Sequence, residues 1–259
     1  MLKIVKIGGN IVEDPGKIDK FLSDFASLKG DKILVHGGGV VATDMLKKLG
    51  YEPKMHLGRR ITNPATLRVV TSVYAGVINK SIVAKLQKLG VNAIGLSGAD
   101  GGFILSKRRS TVPINYGLVG DPTYVDTTLT RILLDLKMTI VAAPITLENT
   151  GSGQLLNTNA DTVASAIAGA MAEMGVETEL IYCFEERGVL LDMGDEDSVI
   201  PSINRNSYAS LKDSGAIFGG MLPKLDNAFK AIDKGVARVV ICSAGSILEP
   251  GYGGTTITK

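Results

Sequence analysis

The stretch Lys32–Leu46, KILVHGGGVVATDML, constrains this chain more than any other. Ile33, Leu34, Val35 and His36 form a β-prone run that breaks at Gly37-Gly38-Gly39, and an apolar, helix-compatible run starts at Val40. A strand that turns through glycines into a helix leaves backbone N–H groups unpaired at the helix N-terminus. Those groups and the helix dipole attract an anion, and glycines let it approach the backbone with no Cβ in the way. A tight βα turn of any α/β protein is the plainer reading. Three consecutive glycines are more than such a turn needs, which favours an anion site.

The remaining bounds are permissive. A chain of 259 residues makes one large or two modest lobes with a real core. Its 45% hydrophobic and 21% charged residues describe an ordinary globular protein, and a net charge of +2 with scattered basic residues gives no reason to expect nucleic acid. Cys183 and Cys242 each sit in an apolar, strand-like run and read as reduced and buried. No apolar run approaches the roughly 18 residues of a membrane span, and the N-terminus has no signal-peptide layout. The expectation is a cytoplasmic protein with no membrane partner.

Taken in order, Leu2–Ile7 reads as a buried strand broken by Gly8-Gly9-Asn10, and Pro15 opens a helix to about Leu28. The glycine turn and its helix follow, then a hairpin over Pro53–Ile61. Pro64 starts a helix through Val77, and Asn79 is expected to cap another that ends at Gly90. Val91–Gly98 is a strand, Phe103–Tyr124 an irregular β flap, and Thr127 or Thr128 caps a helix before the strand Met138–Ala143. Gly151-Ser152-Gly153 marks the boundary between lobes 1–150 and 151–259. Beyond it come a helix from Ala160, a strand to Phe184, an acidic loop at Asp192–Asp197, helices near Arg205–Asp213 and Met221–Lys234, and two closing strands. The β-turn-α rhythm predicts a mainly parallel, doubly wound open sheet between helical layers, a three-layer α/β sandwich.

Three further features carry chemistry. Lys6 sits at the carboxyl end of the first strand, the edge at which open parallel sheets bind ligands. A lysine in an apolar strand is costly unless an anion meets it or it snorkels from an edge strand. In Leu156–Asp161, LNTNAD, capping explains one asparagine and the aspartate; Asn157 and Asn159 on alternate positions also put two amides on one side of an extended segment, as gripping a ligand requires. Gly219-Gly220-Met221-Leu222-Pro223-Lys224 is a glycine pair before a helix with a cation one turn in, which plain capping also explains. The GxxxxGK[ST] and GxGxxG phosphate fingerprints are absent, as are a His/Cys metal cluster and a nucleophile elbow near His36 or His56.

Together KIGG (Lys6–Gly9), HGGG (His36–Gly39), GRRIT (Gly58–Thr62), LNTNAD and GGMLPK (Gly219–Lys224) resemble, in order and along essentially the whole chain, the acetylglutamate kinases of the amino-acid kinase family. The resemblance implies that fold, and transfer of the γ-phosphoryl of ATP to the side-chain carboxylate of an N-acyl-L-glutamate, N-acetyl or N-succinyl, on the route to arginine. Such a carboxylate is already ionised at pH 7, so no general base is required; the task is to bring two anions together and stabilise the transferring phosphoryl. By the resemblance Lys6 and Lys224 would neutralise that group from opposite lobes and Asp161 would hold both. Gly38 and Gly39 would bind the reacting end of the acceptor, and Arg60, Asn157 and Asn159 the rest of it. Gly8, Gly9, Glu185, Gly188, Gly219, Gly220 and Met221 would line the ATP, with Mg²⁺ carried mainly by its phosphates.

Departures from the family pattern fall at Phe184-Glu185, where many relatives have Ser/Thr-Asp, and in the flap Phe103–Tyr124. There Lys107, Arg108 or Arg109 could meet a succinyl carboxylate or simply face solvent. A first strand beginning at Leu2 leaves no room for the N-terminal helix of arginine-inhibited relatives, so a homodimer without arginine feedback is expected. A catalytically silent metabolite sensor on the same fold is the competing reading; a nicotinamide-dependent oxidoreductase lacks its glycine fingerprint.

Overall fold

The computed structural model describes residues 1–56, 58–192, 194–195, 197–217 and 221–259. The expectations placed on Gly219 and Gly220 lie outside these residues.

The apolar runs form the strands predicted. Seven of them and one strand that was not expected, Ser202–Ile203, make one sheet in the order Ser202–Ile203, Thr255–Ile257, Arg238–Ser243, Thr178–Phe184, Leu2–Ile7, Lys32–His36, Thr139–Ala142, Ala93–Leu96. Every neighbouring pair is parallel except Arg238–Ser243 with Thr255–Ile257. Strand side chains alternate between faces, and here both faces are apolar. Ile4, Ile33 and Leu180 pack on one side against Val163, Ile167 and Met171 of the helix Ala160–Glu173. Val5, Leu34 and Ile181 pack on the other against Phe21 and Phe25 of the helix Pro15–Ser27. Three layers result. Lys6 shares the parity of Ile4, so it rises on the face covered by Ala160–Glu173.

A second sheet has four strands in the order Leu155–Asn157, Ile145–Glu148, Ile104–Arg108, Gly120–Val125. The flap is its antiparallel pair Ile104–Arg108 with Gly120–Val125. The other antiparallel pair was not expected, and Gly151-Ser152-Gly153 is the turn that joins it.

Two helix starts are corrected. Asp126, not Thr127 or Thr128, caps Thr127–Asp135, its carboxylate accepting from the Leu129 amide at 2.8 Å. Asn79 caps nothing: Pro64–Thr71, a π-helical stretch Ser72–Ile78 and Asn79–Lys88 run on without a break. The Asn79 side chain is buried instead, and its Nδ2 donates to the Val141 carbonyl at 2.9 Å and lies 3.3 Å from His36 Nε2. Gly95 leaves it room, since a Cβ there would overlap Asn79 Oδ1. The run Pro64–Lys88 is, against expectation, long and apolar enough to cross a membrane by composition, but Val70, Ile82 and Leu86 on it are at most 2% exposed, packed within the protein.

Burial of His36 has a pH consequence. Desolvation lowers its pKa to about 4, with the Nδ1 bond to the Gly37 carbonyl opposing. The unfolded chain takes up this proton near pH 6.5 and the folded one does not. The stability is therefore whole above pH 6.5 and lost as pH falls toward 4, by about 3 kcal/mol. Denaturant titrations from pH 7.5 to 4.5 should show this slope in the natural protein and a shallower one in His36→Gln; equal slopes would refute it.

Candidate active site

Two glycine turns meet at the carboxyl edge of the sheet. Gly8 ends Leu2–Ile7 and leads into the short helix Gly9–Glu13; Gly37 and Gly38 end Lys32–His36 and lead into Gly39–Lys48. A Cβ on Gly37 would stand 3.2 Å from the Gly9 nitrogen, so the glycine permits the turns to touch. Gly38 has φ +152°, and a Cβ there would strike Ile78 Cδ1 and the Tyr74 ring. Only glycine suits that position. The helix it opens directs its unpaired first-turn N–H groups into the space above.

That space is a cavity of about 180 Å³, walled by Lys6, the glycines Gly9 and Gly37–Gly39, Arg59, Arg60, Tyr74 and the segment Asn157–Asp161. Lys6 meets Asp161 across it, Nζ to Oδ1 2.7 Å, with both side chains about one-tenth exposed. The pairing follows from parity and capping: Lys6 faces the helix whose first turn carries Asp161. Asn159 is the N-cap, its side chain accepting from the Thr162 amide at 3.1 Å, so one asparagine does what capping asks of it. Asn157 is buried and donates to Thr62 Oγ1 at 3.0 Å, which in turn donates to the Arg60 carbonyl at 2.9 Å. This chain ties the LNTNAD segment to the GRRIT hairpin.

Arg60 is 6% exposed. Its Nη2 donates to the Gly39 carbonyl and to Thr43 Oγ1, both at 2.8 Å, while Nε and Nη1 are buried with no partner among the described residues. A buried guanidinium with two unmet donors is costly alone and favourable against an anion. Arg59 lines the same cavity with its Nη1 also buried and unpartnered among those residues. Burial, reinforced by the charge of Arg109, disfavours its protonated form. Sequence reasoning did not single out Arg59.

Lys224, one turn into Met221–Asp233, places Nζ 4.0 Å from the centre of the Phe184 ring, and Lys6 Nζ stands 4.7 Å from the same centre. Phe184 stacks on Tyr182, whose hydroxyl donates to the Asp161 carbonyl at 3.1 Å. Two lysines from distant parts of the chain thus share one aromatic platform. Burial holds the Lys224 pKa below the ordinary lysine value; Asp161 opposes that shift and Lys6 adds to it. Asp161 makes its ion pair with Lys6, while Lys224 lies against the ring, with no described carboxylate within 4 Å of its Nζ, and feels Asp161 only through its charge.

Other expected nucleotide contacts lie apart from the cavity. Glu185 is exposed and held by Lys17 Nζ and Asn10 Nδ2, each at 2.7 Å. Gly188 is buried, and a Cβ on it would press Thr255 Oγ1 at 2.7 Å and Val199 at 2.9 Å, so packing explains this glycine. In the flap, Arg108 pairs with Glu148 at 3.0 Å, Arg109 with Asp121 at 2.6 Å, and Lys107 faces solvent. Among the described residues no group of three His, Cys, Asp or Glu could hold a metal ion.

A sheet-edge cavity with glycine turns, unmet arginine donors and Lys6, and with Lys224 nearby on the Phe184 ring, defines an α/β protein built to hold anionic groups. The sequence model of the amino acid kinase family matches residues 1–243, and the chain belongs to that family. It is 53% identical over 249 residues to the acetylglutamate kinase of Cytophaga hutchinsonii, spanning 96% of this chain and 93% of that one. With the acetylglutamate kinase of Bacteroides fragilis it shares 48% over 258 residues, 100% and 97% of the two chains. Among solved structures, smu.665 of Streptococcus mutans UA159 superposes with a TM-score of 0.80 at 25% identity, over 99% of this chain and 98% of that one.

Proposed function

We propose that this kinase transfers the γ-phosphoryl group of ATP to the side-chain carboxylate of an N-acylated L-glutamate, N-acetyl-L-glutamate by the names of its relatives, as a step toward arginine. The observation that carries the reading is the joint placement of Lys6, Arg60 and the Gly37–Gly39 turn on one cavity. The acceptor needs no deprotonation, and the described cavity offers no free base; it offers cations and amides, which stabilise charge on a transferring phosphoryl.

In this assignment Gly38 and Gly39 hold the reacting carboxylate, Arg60 and Asn157 the α-carboxylate end, with Asn159 alongside as the helix cap. Lys6, fixed by Asp161, and Lys224 flank the phosphoryl group. Gly8, Gly9 and Met221 border the nucleotide, with Glu185 at its outer side. Mg²⁺ arrives on the ATP phosphates, the usual way this ion is held at a phosphoryl-transfer site. Residues 1–150 serve the acceptor and 151–259 the nucleotide. Met45 and Val77, exposed on a groove of the helical face whose lining also carries Glu13, Asp44, Lys48 and Lys85, support a homodimer through the helix Pro64–Lys88. A cytoplasmic site suits a reaction that draws on ATP.

Coupled ADP release with ATP·Mg²⁺ and N-acyl-L-glutamates tests the reading. Turnover is expected with an N-acylated form and not with free L-glutamate; absence of turnover with every N-acyl form would overturn it.

A further inference from the structure

In the proposed reaction the amides of Gly38 and Gly39 receive the reacting carboxylate, and something must aim them. A chain of hydrogen bonds behind the turn does so. It starts at Lys80, whose Nζ donates to Asn79 Oδ1 at 3.1 Å and to the Gly95 carbonyl at 3.0 Å. An ammonium only donates and a carbonyl only accepts, so these neighbours fix which way the Asn79 amide lies. Its Oδ1 faces Lys80 and its Nδ2 faces the Val141 carbonyl at 2.9 Å. The same Nδ2 lies 3.3 Å from His36 Nε2 and can only donate to it. Nε2 is then the bare nitrogen, and the neutral ring carries its proton on Nδ1, 2.8 Å from the Gly37 carbonyl.

The rest of the turn is tied as well. The Gly37 N–H donates to the Ile7 carbonyl at 3.1 Å, and the Gly38 carbonyl accepts from the Ala42 N–H at 3.0 Å. In a planar trans peptide the C=O and the N–H that follows it point to opposite edges. A Gly37 carbonyl held down on the buried ring therefore turns the Gly38 N–H up, toward the cavity that Gly37–Gly39 line. The Gly38 and Gly39 nitrogens face Gly9 in that wall, since a Cβ on Gly9 would stand 3.8 Å and 3.5 Å from them. Resting on the kinase reading, we propose that His36 is a positioning residue: its Nδ1–H, locked in that tautomer by Asn79, holds the Gly37 carbonyl so that the Gly38 amide meets the acceptor's reacting carboxylate. His36 is 0% exposed and neither touches the acceptor nor takes a proton from it.

The test compares His36→Asn with His36→Gln on the N-acyl-L-glutamate that the natural protein turns over. An asparagine amide reaches the place of Nδ1 and a glutamine amide the place of Nε2, so the first can keep the bond to Gly37 and the second only the Asn79 side. The kcat should fall roughly 10- to 100-fold in His36→Gln and less than about fivefold in His36→Asn, with KM for ATP moving less than about twofold in both. A packing role gives the reverse order, because glutamine fills the volume of the imidazole better. That order, or equal losses, overturns the inference and leaves the kinase standing. Imidazole ¹⁵N NMR of the natural protein at pH 7 reads the tautomer without any substitution, His36 and His56 being its two histidines. A ring protonated at Nδ1 is expected for His36; protonation at Nε2 overturns the inference even if the variants do not fold. No turnover by the natural protein removes the kinase and this inference together.

Discussion

Lys224→Ala is expected to lower kcat by about 10²- to 10³-fold, the loss seen when one preorganised donor to a transition-state charge is removed. KM for the acceptor should hardly move, because Lys224 is not part of the cavity wall that holds it. The substitution is informative because it should spare the fold. Lys224 is half-buried and already disfavoured by desolvation and by Lys6, so its removal strands no partner. Lys6→Ala lacks this advantage: it leaves the Asp161 carboxylate buried and unpaired, a defect of about 3–5 kcal/mol that would confuse inactivity with unfolding. Steady-state kinetics together with a melting curve separate the two. A kcat within threefold of the natural protein would remove Lys224 from the transition state.

The contrast between these lysines also marks how far the sequence could be read. Lys6 was legible because a cation inside an apolar strand demands an anion, and the parity of the strand aims it at the helix that bears Asp161. Its ion pair follows from two periodicities. Lys224 was legible only as a cation one turn into a helix. Where its Nζ comes to rest depends on a ring, Phe184, supplied by another strand and marked in the sequence only as a departure from the family pattern.

Other failures have the same origin. Asn79 is of the residue type that caps helices, and nothing local tells a cap from an amide serving His36 and Val141 across the core. The pair Ile145–Glu148 and Leu155–Asn157 escaped because four- and three-residue strands around a polar turn carry too short an alternation to register. Arg59 stood beside a residue already given a role, and in a two-residue strand alternation would send the two side chains apart; the structure puts both on the cavity.

Arg60→Ala should reduce kcat/KM by about 10²-fold or more, mainly through KM, because it removes a buried charge that faces its counter-charge only when the acceptor is bound. The loss alone does not prove contact. Arg60 also donates to the Gly39 carbonyl and Thr43, so its removal could relax the glycine turn that holds the reacting end. A substrate with a carboxamide in place of the α-carboxylate resolves this. If Arg60 pairs with that carboxylate, the natural protein should lose about as much on the amide as the variant loses on the acid. The variant should then barely distinguish the two substrates, a coupling that a purely structural role would not produce. Additive losses from the variant and the amide would mean that Arg60 shapes the turn and that another group receives the α-carboxylate.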